Sequence, residues 1–380
     1  MKKIAFISQD DPNDKRAWSG TAHTIFMTLK KDFDVYWHGK IELSKSEKAS
    51  LFFNKYVNKI GKGRLANERN LEISKVYSSK MDEFIASQDF DYIFVCAVPF
   101  MGAFIKNTTI PMIYLNDATF ENMIDFYAPF MGLSKKGIKE GHEIERALLK
   151  RASKVVYSSQ WAVDSAVNYY NADKNKVSFI DFGANLPLED YTENIPSEYV
   201  NNKCRLLFSG VDWKRKGGET ALAITRELTK RGINTELVII GCNPSIRDKN
   251  VTIIPFLNKN IKKDLELFTN YFKNSTFFVL PTVADCTPIV FSESGAYSLP
   301  VITTKVGGTE SVILEGKNGY TFDLNATPSE YADTIEKLWN DKEKLISLRK
   351  SSLNEYHSRL NWGIWRKKFN ELLNYESSNH

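Results

Sequence analysis

Short runs of consecutive apolar residues alternate with longer segments whose apolar positions recur every three or four residues, and this alternation runs twice along the chain. The runs Lys3–Ser8, Val35–His38, Tyr92–Ala97, Met112–Leu115, Val155–Ser158 and Val177–Asp181 are apolar on both alternating faces, as buried parallel strands require. Between them, helical spacing is clear in His23–Lys30, Gly141–Arg151 and Gln160–Tyr169. This pattern predicts a doubly wound α/β unit. The polar segment Leu186–Asn202, with Pro187, Pro196 and the pair Asn201 and Asn202, reads as a linker. A second series follows, with strands at Arg205–Ser209, Glu236–Gly241, Val251–Pro255, Phe277–Leu280, Val301–Thr303 and Tyr320–Phe322. Its helices are expected at Gly218–Arg231, Lys263–Phe272 and Ile289–Ser298. Two long helix patterns, Pro328–Trp339 and Asp341–Tyr356, lead to Trp362–Tyr375, where Trp362, Trp365, Phe369 and Leu372 form an apolar face that must be buried. The expected division is therefore 1–185, a linker at 186–202, 203–356, and a tail helix at 357–380. Two α/β units of similar size imply a cleft, the default place for a ligand.

Composition narrows the class. At 42% hydrophobic and 26% charged, 380 residues are enough for two ordinary cores. No apolar run approaches the roughly 18–20 residues of a membrane span. The opening MKKIAFIS reads as a strand and not as a secretion signal, because its apolar run stops at Ile7 and Gln9, Asp10 and Asp11 follow. Cys96, Cys204, Cys242 and Cys286 are scattered, with no C-x-x-C pair, which argues for a reducing cytoplasm and against structural zinc. A net charge of +5 is too mild for nucleic-acid binding and is compatible with an anionic ligand or membrane surface. In Leu51–Ile60, Phe52, Phe53, Tyr56, Val57 and Ile60 fall at helical spacing among Lys55, Lys59, Lys62 and Arg64. Such a basic helix either lies on anionic lipid, at the inner face of a membrane, or packs its apolar side into a core.

Two stretches of the second series carry candidate chemistry. In Phe208–Gly218, a strand ends in a glycine-containing turn with Arg215 and Lys216 just before a helix. Arg215 can fork two oxygens and Lys216 adds a mobile point charge, which suits a diphosphate at a helix N-terminus. The plainer reading is a solvated Lys-Arg-Lys turn. In Pro281–Glu310, Asp285 and Glu293 flank a loop and a helix start, and Gly307 and Gly308 follow the next strand. Loops beyond the carboxyl ends of parallel strands are where ligands bind, and carboxylates there can accept hydroxyls. The alternative is a helix start whose acids complement the macrodipole. In the first series, Gly20 with Ser19 and Thr21 makes a phosphate or hydroxyl loop. The pairs Asp32/Asp34 and Asp89/Asp91 look like metal motifs but lie before strands, at the wrong end of the sheet, and read as loop acids. No cluster has metal-ligand spacing. His23 and His142 are the histidines to consider near a cleft, and a lone histidine is more often structural.

The layout resembles the GT-B fold of nucleotide-sugar glycosyltransferases, and the second half resembles retaining glycosyltransferase family four. The strand-Gly-turn-Lys-Gly motif of that family is matched by Gly210 through Lys216 and Gly217, and its Glu-x7-Glu motif by Asp285 through Glu293. Pro300-Val301-Ile302 and Val306-Gly307-Gly308 match a further strand and loop. The resemblance implies two Rossmann-like doubly wound domains facing each other across a cleft, with the C-terminal helix crossing back to the first. It implies that Glu293 holds ribose hydroxyls, that Asp285 lies near the donor sugar, and that Arg215 and Lys216 bind the diphosphate. Gly20, Gly210, Phe256, Leu257, Thr287, Pro288 and Ile289 complete the expected nucleotide-sugar site. Departures are Asp285 in place of Glu, Val211 where many members have Arg, Ser311 in place of an acid, and Asn116-Asp117 where many have a His followed by an acid. Asn116 or Asp117 is expected to approach the donor sugar there, Asp117 being the catalytic candidate, and the usual His role is not carried over. The function implied is a metal-independent, cofactor-free retaining glycosyltransferase. Its donor would be a UDP- or GDP-sugar and its acceptor a glycan or lipid-linked hydroxyl. A nucleotide-sugar epimerase and a non-catalytic sugar-nucleotide binder are the alternatives.

Overall fold

A computed structural model describes residues 1–48, 69–107, 109–186 and 203–377. The basic segment around Lys55 and nearly all of the expected linker lie outside the described residues. The chain forms two compact units, Met1–Ile180 and Asp181–His380.

In the first unit, β1 (Lys3–Ile7), β2 (Asp34–Trp37), β3 (Tyr92–Cys96), β4 (Met112–Asn116), β5 (Lys154–Tyr157) and β6 (Val177–Phe179) make one sheet in the order β2-β1-β3-β4-β5-β6. Every pairing is parallel. The interior strands β3 and β4 are buried along their whole length, which is why they read as unbroken apolar runs. The helix Leu71–Ile85 was not expected from periodicity. Its core face carries Ser74 and Ser78, whose hydroxyls donate to the carbonyls of Phe100 and Met101 at 2.6 and 3.1 Å, so polar residues stand at buried positions. The next helix, Lys135–Arg151, is capped by Ser134 and starts well before the expected Gly141. Glu140, His142 and Glu145 on it are buried, which again hides the pattern. The expected helix over Gln160–Tyr169 divides into an α-turn, Gln160–Asp164, and a π-turn, Ser165–Tyr169.

In the second unit, β7 (Cys204–Ser209), β8 (Thr235–Ile240), β9 (Val251–Ile254), β10 (Phe277–Leu280), β11 (Val301–Thr304) and β12 (Gly319–Phe322) follow the order β12-β11-β10-β7-β8-β9, all parallel. The helices Gly218–Lys230, Lys262–Lys273, Ile289–Ala296 and Pro328–Asn340 fall where the spacing predicts them. Residues Asp181–Leu186 belong to this unit. The Asp181 carboxylate is buried against Arg359, 2.7 Å away, and the same guanidinium donates to the carbonyls of Ser311 and Val312. In the tail helix Trp362–Ser377, Trp362 stacks on Phe182 with centroids 5.7 Å apart and donates to the Asn185 side chain at 3.0 Å. Trp362, Trp365, Phe369 and Leu373 are its buried face, so Leu373 replaces the expected Leu372.

Candidate active site

The turn after β7 and the loop after β10 meet at the carboxyl ends of adjacent parallel strands. Gly217 ends the turn in a left-handed conformation (φ +76°) and caps the helix Gly218–Lys230. A Cβ at this position would strike the Pro281 carbonyl, so only glycine lets the two segments touch. The Arg215 carbonyl accepts from Val283 N–H at 2.9 Å and from Thr282 Oγ1 at 3.0 Å, which fixes the turn on the loop. Arg215 Nη1 then donates to the Ala284 carbonyl at 2.8 Å. Lys216 Nζ lies 2.5 Å from Asp285 Oδ2, and Arg215 Nη1 lies 3.7 Å from the same oxygen. Gly210 sits beneath the Lys216 stem, where a Cβ would come within 3.1 Å of its Cγ. Gly308 N–H donates to the Asp285 carbonyl at 3.2 Å, so the glycine pair backs the same loop. Arg215, Lys216 and Asp285, expected to act together, are together. The reach of lysine accounts for the short Asp285, since its carboxylate is already met by Lys216.

Glu293, on the helix Ile289–Ala296, is 3% exposed. Burial pushes its carboxyl above the usual carboxylate range, while Lys259 and the Asn185 backbone N–H work in the opposite direction. Lys259 Nζ is 2.5 Å from Glu293 Oε1 and 3.3 Å from the Asn185 carbonyl. Lys259 was missed by sequence reasoning, because it stands in a polar loop with no periodicity. Its position just after the expected Phe256 and Leu257 was the available signal. Phe256 is exposed, Leu257 packs on the core of this unit, and Pro288 caps the Glu293 helix between Thr287 and Ile289.

In the first unit a cavity of about 240 Å³ opens at the carboxyl ends of β1, β3 and β4, lined by Ser8, Trp18, Arg69, Asn116, Asp117 and Phe130 among others. Trp18 Nε1 donates to Asp117 Oδ2 at 3.3 Å. Asn116 faces back into the sheet: its Nδ2 donates to Tyr114 Oη at 2.7 Å, and Tyr114 donates to the buried Glu145 at 3.3 Å. Arg69 Nη1 closes this chain on Glu145 at 2.8 Å. Gly20 does not line the cavity. It is buried as the left-handed cap of the helix Thr21–Leu29, and Trp18, two residues earlier, reaches the cavity instead. His142 lies between the hydroxyls of Tyr170 and Tyr169, and His23 bonds the Pro12 carbonyl, so both are structural. Asp91 accepts from the Lys3 N–H at 2.7 Å, and Asp34 opens β2, which puts both at the end of the sheet opposite to the cavity. Among the described residues no three His, Cys, Asp or Glu side chains are grouped to hold a metal ion, and no helix is long and apolar enough to cross a membrane.

Residues 192–354 match the family described as glycosyl transferases group 1. That match falls within the second unit and covers less than half of the chain. Among curated relatives is the D-inositol 3-phosphate glycosyltransferase of Corynebacterium efficiens, 21% identical over 60% of this chain and 58% of that protein. Three curated relatives are covered over only 19%, 58% and 50% of their own length. Among solved structures, sucrose-phosphate synthase from Thermosynechococcus elongatus superposes with a TM-score of 0.67 at 14% identity over 100% of both chains. Anabaena HepE in complex with UDP does so with a TM-score of 0.64 at 14% identity, over 99% of this chain and 100% of that one. The fold of the chain is GT-B.

Proposed function

We propose that this protein is a retaining glycosyltransferase that moves a sugar from a UDP- or GDP-sugar to a hydroxyl of a glycan or lipid-linked acceptor. The observation that carries the reading is the cluster of Arg215, Lys216 and Asp285 at the ends of β7 and β10. Two cations against one carboxylate leave a net positive charge beside the start of the helix Gly218–Lys230, a place suited to a diphosphate. In the reaction the bond from the anomeric carbon to the diphosphate oxygen breaks and a bond to the acceptor oxygen forms on the same face of the sugar. The acceptor proton passes to the departing phosphate. Negative charge grows on that phosphate, and Arg215 and Lys216 are preorganised to stabilise it, a countercharge role that needs no divalent ion. Glu293 accepts the ribose hydroxyls, and the first unit takes the acceptor. The complex of HepE with UDP favours a uridine donor.

A thermal-shift panel with UDP, GDP, ADP, TDP and CMP on the wild type and Glu293→Ala tests the site. A ligand at about 100 times its Kd adds roughly 2.7 kcal/mol of stability. One nucleoside diphosphate should stabilise the wild type, and the variant should lose the effect. Stabilisation by none of them would refute the reading, as would an Arg215→Ala enzyme with undiminished turnover. A changed sugar nucleotide released without acceptor would make the protein an epimerase, and binding without turnover would make it a binder.

A further inference from the structure

Accepting two hydroxyls requires an ionised Glu293, yet Glu293 is buried where water cannot support the charge. The loop after β9 contributes Lys259 to the carboxylate, and the Asp181–Leu186 segment contributes the uncharged Asn185 backbone. Lys259 is itself held at three points: Glu293 Oε1 at 2.5 Å, the Asn185 carbonyl at 3.3 Å, and the face of Phe268, 5.4 Å from its centroid. Its side chain is 30% exposed against 4% for Glu293, so Lys259 connects the buried acid to the surface that a ligand reaches. Lys259 also follows Phe256, whose ring is 66% exposed, by three residues.

We infer that Lys259 is a positioning residue for the donor nucleotide, the counter-ion that holds the Glu293 carboxylate as an acceptor for ribose hydroxyls. The ammonium takes one lone pair of Oε1 and the Asn185 backbone N–H another of the carboxylate's four, and the ribose hydroxyls would use those that remain. The inference rests on the reading of Glu293 given above. Without Lys259 the main charge opposing the effect of burial is gone, so Glu293 keeps its proton to higher pH, and its protonated carboxyl offers one hydrogen and fewer lone pairs to the ribose. A lysine that merely fastened the β9 loop to the helix Ile289–Ala296 would have no such effect on ribose preference.

Titration calorimetry with UDP, GDP and their 2′,3′-dideoxy counterparts between pH 6 and 9 tests this. The wild type should prefer the ribonucleotide by roughly tenfold or more at every pH, as a hydrogen bond to a charged group implies. Lys259→Met should weaken that preference, most at the acid end of the range, Lys259→Arg should keep it, and Glu293→Gln should lack it throughout. A Lys259→Met protein with the wild-type preference at all pH values would overturn the inference while leaving the ribose reading intact. A wild type that binds ribo- and dideoxynucleotides equally, or neither, would overturn the ribose reading and the inference with it. A second measurement needs no variant: Lys259 should stay as protected from acetic anhydride with UDP bound as without it. A UDP-induced rise in its labelling would mean that ribose displaces the ammonium, which is contrary to the inference.

Discussion

Gly217 and Gly232 lie at the two ends of one helix, Gly218–Lys230, with φ of +76° and +84°, and replacing each with alanine separates backbone strain from close packing. A Cβ at Gly232 meets nothing within 4 Å, whereas one at Gly217 falls on the Pro281 carbonyl. A left-handed conformation costs an L-residue roughly 1–2 kcal/mol. The smaller entropy of the unfolded chain offsets about 0.4–1 kcal/mol of that, so Gly232→Ala should lose only about 0.5–1 kcal/mol. In Gly217→Ala the Pro281 carbonyl must also move. Pro281 is buried, and its neighbours Thr282 and Val283 are bonded to the Arg215 carbonyl, so the loop has little room to yield. Overpacking of this kind adds roughly 1–3 kcal/mol, for a total of about 1.5–4 kcal/mol. Urea unfolding followed by tryptophan fluorescence gives both differences on one scale. UDP titration of the folded Gly217→Ala protein should show weakened binding, because Arg215 and Lys216 ride on the displaced turn. Equal stability losses for the two variants would refute the view that Gly217 is required by contact with the loop after β10.

Three further outcomes follow from the same geometry. Lys216→Met should lower UDP affinity roughly 10- to 100-fold while leaving uridine affinity unchanged, as measured by calorimetry, because only the diphosphate loses a charged partner. Trp362→Ala removes a buried ring that stacks on Phe182 and bonds Asn185, and should destabilise the second unit by about 3–5 kcal/mol in urea titrations. Burial holds the Glu145 carboxyl above its ordinary range, despite Arg69 beside it. The folded chain therefore keeps that proton at a pH where the unfolded chain has lost it. The stability it contributes is full below about pH 4.3 and is lost as pH rises through the folded value. Glu145→Gln should flatten this part of the stability–pH curve, seen as the difference between the two proteins' urea midpoints.

The strands were legible because the eight in the interior of the two sheets are mostly buried on both faces, and an unbroken run such as Phe277–Leu280 has no second reading at that length. The anion turn was legible because glycines and cations were spaced around a strand end, where backbone geometry dictates residue type. What stayed hidden shares a cause: buried polar groups satisfied by partners distant in sequence. Ser74 and Ser78 hid a helix in this way, and Glu140 and Glu145 hid the start of another. Lys259 is the same case within the site, since its importance lies in a carboxylate 34 residues away and not in its neighbours. Gly20 was misjudged for the opposite reason. A glycine cap is easily seen, but the bulky Trp18 in a left-handed conformation beside it is what the cavity uses.

The strand orders bear on how the chain is made. In each unit the strand that leaves the ribosome first is an interior strand, and one of its neighbours arrives late: β1 and the start of β3 are bonded across 88 residues, and β7 and the start of β10 across 71. Until then, β1 and β7 each expose an apolar edge on which another nascent chain can add, the hazard of slow, non-local pairing. In the second unit that late pairing also brings Lys216 to Asp285. A bound diphosphate would thus report that the seam between β7 and β10 has closed, and a chain stalled before β10 would carry half of the anion site and an uncovered edge.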